Sequence, residues 1–150
     1  MSDPIHELSV TTLIDATPEH CWQVWTERLA EWWCPKPWTT EVVEMVLRAG
    51  GRSATIMRGP NGEEFLNEGV FLEVVPAQKV VFTDAFRAGW VPHEAFMVGM
   101  MTFAEEHGKT RYTGSARHWS EEALKRHEAM GFHPGWDMVA EQFKALCEER

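Results

Sequence analysis

The chain has 150 residues, 44% of them apolar and 25% charged, the balance of one folded globular domain over 1–150 with a core of its own. Fourteen Lys and Arg stand against 23 Asp and Glu, a formal charge of -9 spread along the chain, which argues against binding nucleic acid or an anionic membrane. No signal peptide opens the sequence, no run reaches the roughly 18 apolar residues of a membrane span, and Cys21, Cys34 and Cys147 form no close pairs, so a reducing cytoplasm is expected rather than a disulfide scaffold.

Residues 5–14 are rich in β-branched side chains in imperfect alternation, the pattern of a strand. Asp15-Ala-Thr-Pro then announces a helix, with Thr17 as N-cap and Pro18 in the first turn, where a missing N–H costs nothing. Cys21, Trp22, Trp25, Leu29, Trp32 and Trp33 recur at helical spacing until Pro35 and Pro37 stop the helix.

From there the pattern becomes a succession of strands, predicted at 40–48, 52–58, 64–75, 79–86, 95–105 and 109–118. Tight turn signals separate them, among them Ala-Gly-Gly at 49–51, Gly-Pro-Asn-Gly at 59–62 and His107-Gly108. Strands joined this way form an antiparallel meander, not βαβ units. Residues 87–94 are the longest loop, and Trp90 in it is a candidate for a homodimer contact.

Ser120 opens a helical region that Gly131 interrupts and Pro134 restarts. On the last helix Trp136, Val139, Ala140, Phe143 and Leu146 share one face, while Asp137, Glu141, Lys144 and Glu148 face away. The class is therefore α+β: a curved antiparallel sheet of six or seven strands, a helix after the first strand, and a long C-terminal helix covering the concave face. Where such a sheet curves strongly, helix and sheet cannot touch everywhere and a cavity is left.

Eight Trp, eight Met and eight Phe with a single Tyr are a composition suited to an apolar pocket. The pattern places Phe82, Met97, Gly99 and Met101 on strands facing the last helix, with Gly114 and Ala116 beside them. Trp136, Val139 and Phe143 face them from the helix, and Trp32, Trp33 and Trp38 form one end. Small residues inside strands mark close approach or vacant space. Asp84 and His118, each on the inward face of its strand, are the candidate polar groups of the pocket, with Arg117 beside them, and an acid–base pair if they converge.

Other chemistry finds less support. Seven histidines include no His-Glu-x-x-His, and there is no Cys-x-x-Cys, so no metal is expected; His127 and His133 are the one pair worth testing. Cys34 stands near Lys36, whose cation would lower its pKa, but no histidine is spaced to serve it. No catalytic residue and no cofactor is assigned.

Several segments carry a family resemblance. Ala-Thr-Pro-Glu-His-Cys-Trp-Gln-Val-Trp-Thr at 16–26 with Trp32-Trp33-Cys34-Pro35 is similar to proteins related to the activator of the heat-shock protein 90 ATPase. So are Gly69-Val-Phe-Leu-Glu-Val-Val-Pro, Lys79-Val-Val-Phe-Thr, Gly108-Lys-Thr-Arg-Tyr-Thr and the closing segment 130–143 with its Gly-Trp. The resemblance implies a START-like helix-grip fold, shared with lipid-transfer domains, polyketide cyclases and the birch-pollen allergen group. It implies a stand-alone member that binds a small apolar molecule. Chaperone contact is the alternative partner, although a first strand near residue 5 leaves no room for the additional domain of the eukaryotic activator.

Overall fold

The computed structural model describes residues 4–149. Its elements are β1 (His6–Ile14), α1 (Pro18–Glu27), a 3-10 turn (Leu29–Glu31), β2 (Thr39–Met45), β3 (Arg52–Arg58), β4 (Glu64–Val75), β5 (Lys79–Thr83), β6 (Phe86–Arg87), β7 (Val91–Pro92), β8 (Val98–Glu106), β9 (Lys109–His118), α2 (Glu121–Ala129) and α3 (Phe132–Cys147). Seven strands form one antiparallel sheet in the order β1-β9-β8-β5-β4-β3-β2, and β6 and β7 make a separate small hairpin. A curved sheet with a long C-terminal helix across its concave face is the helix-grip architecture expected above.

Local chemistry accounts for the helix ends. Thr17 caps α1 by accepting a hydrogen bond from the His20 N–H at 3.2 Å, and Pro18 occupies the first turn. The helix stops at Glu27 rather than running to Trp33, because Arg28 leaves helical geometry and a 3-10 turn follows. That break sends Trp32 and Trp33 in different directions. Gly131, at φ 96°, closes α2 and opens α3; an L side chain there would be strained. α3 therefore begins at Phe132, two residues before the predicted restart, with Pro134 still inside the first turn.

Two strand boundaries differ from the sequence pattern for one reason. β5 ends at Thr83, not residue 86, and β8 begins at Val98, not residue 95. Asp84 leaves the ladder, and its Oδ1 accepts from the N–H groups of Phe96 and Met97 at 2.8 and 3.2 Å. A side chain has replaced the strand pairing there. Between them the β6–β7 hairpin carries Phe86 outward against Trp90, ring centroids 5.8 Å apart.

The core lies between α1, α3 and the half of the sheet made by β1, β9 and β8. Trp25, Trp32, Tyr112, Phe132 and Phe143 are all at most 2% exposed. Rings meet at 4.5 Å (Trp32–Phe143) and 4.9 Å (Tyr112–Phe143), the separations of favourable aromatic pairs. The indole N–H groups of Trp25 and Trp32 have no hydrogen-bond partner, so the cohesion of this cluster comes from ring packing. At the other end of the sheet β2, β3 and β4 extend beyond the helices, and Val42, Val43, Phe65 and Leu66 are exposed.

Candidate functional site

The helices cover one half of the sheet and leave the other open, and a cavity of ≈ 400 Å³ lies where the cover ends. Its inner end is formed by Val10, Trp25, Leu29, Phe71, Met101 and Tyr112, all buried. Leu66, Asn67 and His93 are exposed and line its mouth. The size is that of a site for a small molecule.

Each wall follows from strand alternation and helix pitch. Ser53, Thr55 and Met57 of β3 line the cavity at every second position, which puts Arg52, Ala54, Ile56 and Arg58 on the convex face. There Arg52 pairs with Glu68 at 2.7 Å and Glu44 at 3.2 Å, and Arg58 with Glu41 at 2.7 Å and Glu64 at 3.1 Å. On α3, Gly135, Trp136 and Val139 face the cavity, while Phe143 lies one turn deeper. Gln142 fastens this helix to the chain after α1. Its Nε2 donates to the carbonyls of Trp32 and Cys34 at 3.0 and 2.9 Å, and its Oε1 accepts from the Lys36 N–H at 3.1 Å.

Of the residues singled out from sequence, Trp33, Phe82, Asp84, Met97, Met101, Trp136 and Val139 line the cavity. Four others do not. Trp32 is 1% exposed and packs on Phe143, itself fully buried, so both belong to the core behind the cavity wall. Trp38 follows a turn closed by its N–H on the Pro35 carbonyl at 3.0 Å, and its ring stacks on Phe65 at 5.9 Å.

His118 is the fourth. Its Nε2 lies 2.8 Å from Nδ1 of His127, and its Nδ1 lies 3.3 Å from the His6 carbonyl. Phe96 packs against both imidazoles, at 6.3 and 4.7 Å, and is the side chain of this group that lines the cavity. Asp84 is meanwhile occupied with the Phe96 and Met97 amides. The fold does not bring Asp84 and His118 together as an acid–base pair. Arg117 points to the outer face, where it pairs with Glu7 at 2.7 Å.

The glycine signal also resolves differently at each position. A methyl group at Gly99 would overlap the ring of Phe82, so the space above this strand is occupied by that ring. A Cβ at Gly114 would lie 3.5 Å from both the Trp136 ring and the Tyr112 hydroxyl, an ordinary contact distance.

Of the remaining candidates, Cys34 also lines the cavity, and His127 and His133 do not. Cys34 is buried, accepts a hydrogen bond from Thr40 Oγ1 at 3.0 Å, and has its pKa raised by burial; the lowering expected from Lys36 is absent. His127 is 8% exposed, and burial together with its neighbour His118 pushes its pKa down to about 4. His133 faces Glu128 at 3.5 Å instead. No cluster of three metal-ligating side chains occurs among the described residues.

Sequence reasoning missed Trp25, Phe71, Phe96, Met45, Met57 and Tyr112 as lining residues. Tyr112 was legible as inward-facing, two positions before Gly114. Phe96 was not, because its role arises from the loop that Asp84 folds.

The family model for "Activator of Hsp90 ATPase homolog 1-like protein" matches residues 15–148. The chain belongs to this family. Among solved structures, a Nitrosomonas europaea protein is 32% identical with a TM-score of 0.89, covering 93% of this chain and 92% of its own. A Mycobacterium smegmatis protein is 26% identical with a TM-score of 0.78, covering 95% and 96%. A Silicibacter pomeroyi protein described as AHSA1 shares the fold at 20% identity, with a TM-score of 0.71 and coverage of 93% and 95%. No curated protein matches the sequence. Each of these structural matches spans more than nine-tenths of this chain. No helix of the described residues is long and apolar enough to cross a membrane.

Proposed function

We propose that this protein is an intracellular binding domain for a small hydrophobic or aromatic molecule held between the sheet and α3. The observation that supports this reading is the cavity itself: ≈ 400 Å³, walled by Trp25, Trp33, Phe71, Phe82, Phe96 and Trp136. An empty apolar space costs stability in proportion to its volume, and a chain selected for stability alone would fill it. The three cysteines are free and buried, which suits a reducing compartment.

Three of the wall residues are tryptophans, so occupancy has a direct optical readout. Titration with a panel of fatty acids, sterols and polycyclic aromatics should give saturable tryptophan quenching by at least one class. The same compound should raise the melting temperature, since it binds the native state alone. A panel that moves neither signal would overturn the proposal.

A further inference from the structure

The polar groups of the cavity define its ligand more narrowly than its apolar walls do. Tyr112 is 2% exposed and lines the inner end. Its hydroxyl makes no hydrogen bond to the described residues; the contact of this residue with Thr11 uses the backbone carbonyl. Burial raises the pKa of the phenol, so it is a neutral donor at any physiological pH. Its position is fixed by Phe143 and Phe103, with ring centroids at 4.9 and 5.7 Å. Space beside the oxygen exists because position 114 is glycine, where a Cβ would come within 3.5 Å of the hydroxyl. Buried hydroxyls are ordinarily hydrogen-bonded, and one left without a protein partner on a cavity wall is a docking point.

Charge selects as well. The lining contains no Lys or Arg; its acidic residues are Asp84 and Glu68, and His93 stands at the mouth. Alternation along β3 sends Arg52 and Arg58 to the convex face, where carboxylates occupy them. An anionic group carried to the buried inner end of this cavity would lose its hydration without meeting a lysine or arginine, a heavy penalty in an apolar site. The chain's net charge of -9 opposes it further.

Resting on the cavity reading above, we infer that the ligand is an uncharged, predominantly aromatic molecule whose carbonyl or ether-type oxygen accepts a hydrogen bond from the Tyr112 hydroxyl, and that anionic acyl lipids are excluded. Thr55, buried on the β3 wall and also without a side-chain partner among the described residues, is available for a second polar contact nearer the mouth.

The test compares three probes by calorimetry on the wild type and on Tyr112→Phe. Benzophenone carries the acceptor, diphenylmethane has the same two rings without it, and 4-benzoylbenzoate adds a negative charge. Benzophenone is expected to bind about 3–10-fold more tightly than diphenylmethane, the value of one hydrogen bond to an otherwise unpaired group. Tyr112→Phe should abolish that difference by weakening benzophenone alone. The variant should melt no lower than the wild type, because the lost hydroxyl had no protein partner. 4-Benzoylbenzoate should bind at least about 10-fold more weakly than benzophenone. Equal benzophenone affinity in the two proteins, or a lower melting temperature for the variant, would overturn the role of Tyr112 while leaving the cavity in use. An anionic probe as tight as the neutral one would overturn the charge selection. Failure of both neutral probes would overturn the inferred ligand class; a fatty acid or sterol that still shifts the melting temperature would leave the cavity reading standing, and no response from the whole panel would remove both.

Discussion

His118 and His127 show what an inward-facing polar residue does when it is not part of the site. Their ring nitrogens meet at 2.8 Å, and Phe132 and Trp136 pack on His127 at 5.1 and 6.2 Å. One neutral imidazole donates and the other accepts. A proton added to this pair places a buried charge beside a second ring with little water to share it. The His127 pKa accordingly falls from 6.5 to about 4, through desolvation first and the proximity of His118 second. The unfolded chain binds this proton more readily than the folded one, so stability is complete above pH 6.5 and declines as pH falls from there toward 4. Urea unfolding at pH 7 and pH 4.5 should show a loss on the order of 2 kcal/mol from this group. His127→Gln keeps a hydrogen-bonding group but cannot titrate, and it should be less stable at pH 7 with a shallower slope. Parallel slopes for the two proteins would place the titrating group elsewhere.

The elements divide the labour between holding the fold and shaping the cavity, and α3 does both within two turns. Phe143 is fully buried among Trp32, Phe103 and Tyr112. Phe143→Ala should cost about 3–5 kcal/mol, because three rings around the gap cannot all collapse into it. In a chain of this length that lowers the melting temperature by about 10 °C or more, measurable by circular dichroism. At the far end of the helix Lys144 Nζ donates to the Leu13 carbonyl at 3.1 Å and to Glu148 at 2.6 Å, and Glu148 accepts from the Asp15 N–H at 2.8 Å. Burial at Phe143 and polar contacts at 144 and 148 anchor the second half of α3. Trp136 and Val139 are thereby left free to form a wall.

At the scale of the molecule the helices are too few to cover seven strands. α3 and α1 pack on β1, β9 and β8, while β3 and β4 keep a concave face that meets no helix. The cavity is the transition between these regions. Val139 lines it from the helix side, so a larger apolar side chain there fills space without disturbing the core behind. Val139→Phe should keep or raise the melting temperature and abolish the thermal shift given by any compound that binds the wild type. A variant that binds as before would place the ligand outside this cavity.

The sequence by itself determined a great deal. Alternation and turn residues specified the meander, because strand faces and tight turns are local properties, and β3, β4 and β9 fall where the pattern put them. Helical spacing correctly separated the buried face of α3 from its charged face. Seven of the eleven residues proposed from sequence line the cavity: Trp33, Phe82, Asp84, Met97, Met101, Trp136 and Val139. The tertiary structure decided the rest. Periodicity says which face of an element is buried, but not whether the burial is against packed rings or against a cavity. That distinction put Trp32 and Phe143 in the core and gave His118 a histidine partner from α2. It brought Phe96 to the wall through a loop folded around one carboxylate. It also left the Tyr112 hydroxyl without a partner among the described residues, because α3 passes over Gly114 with only the Trp136 ring.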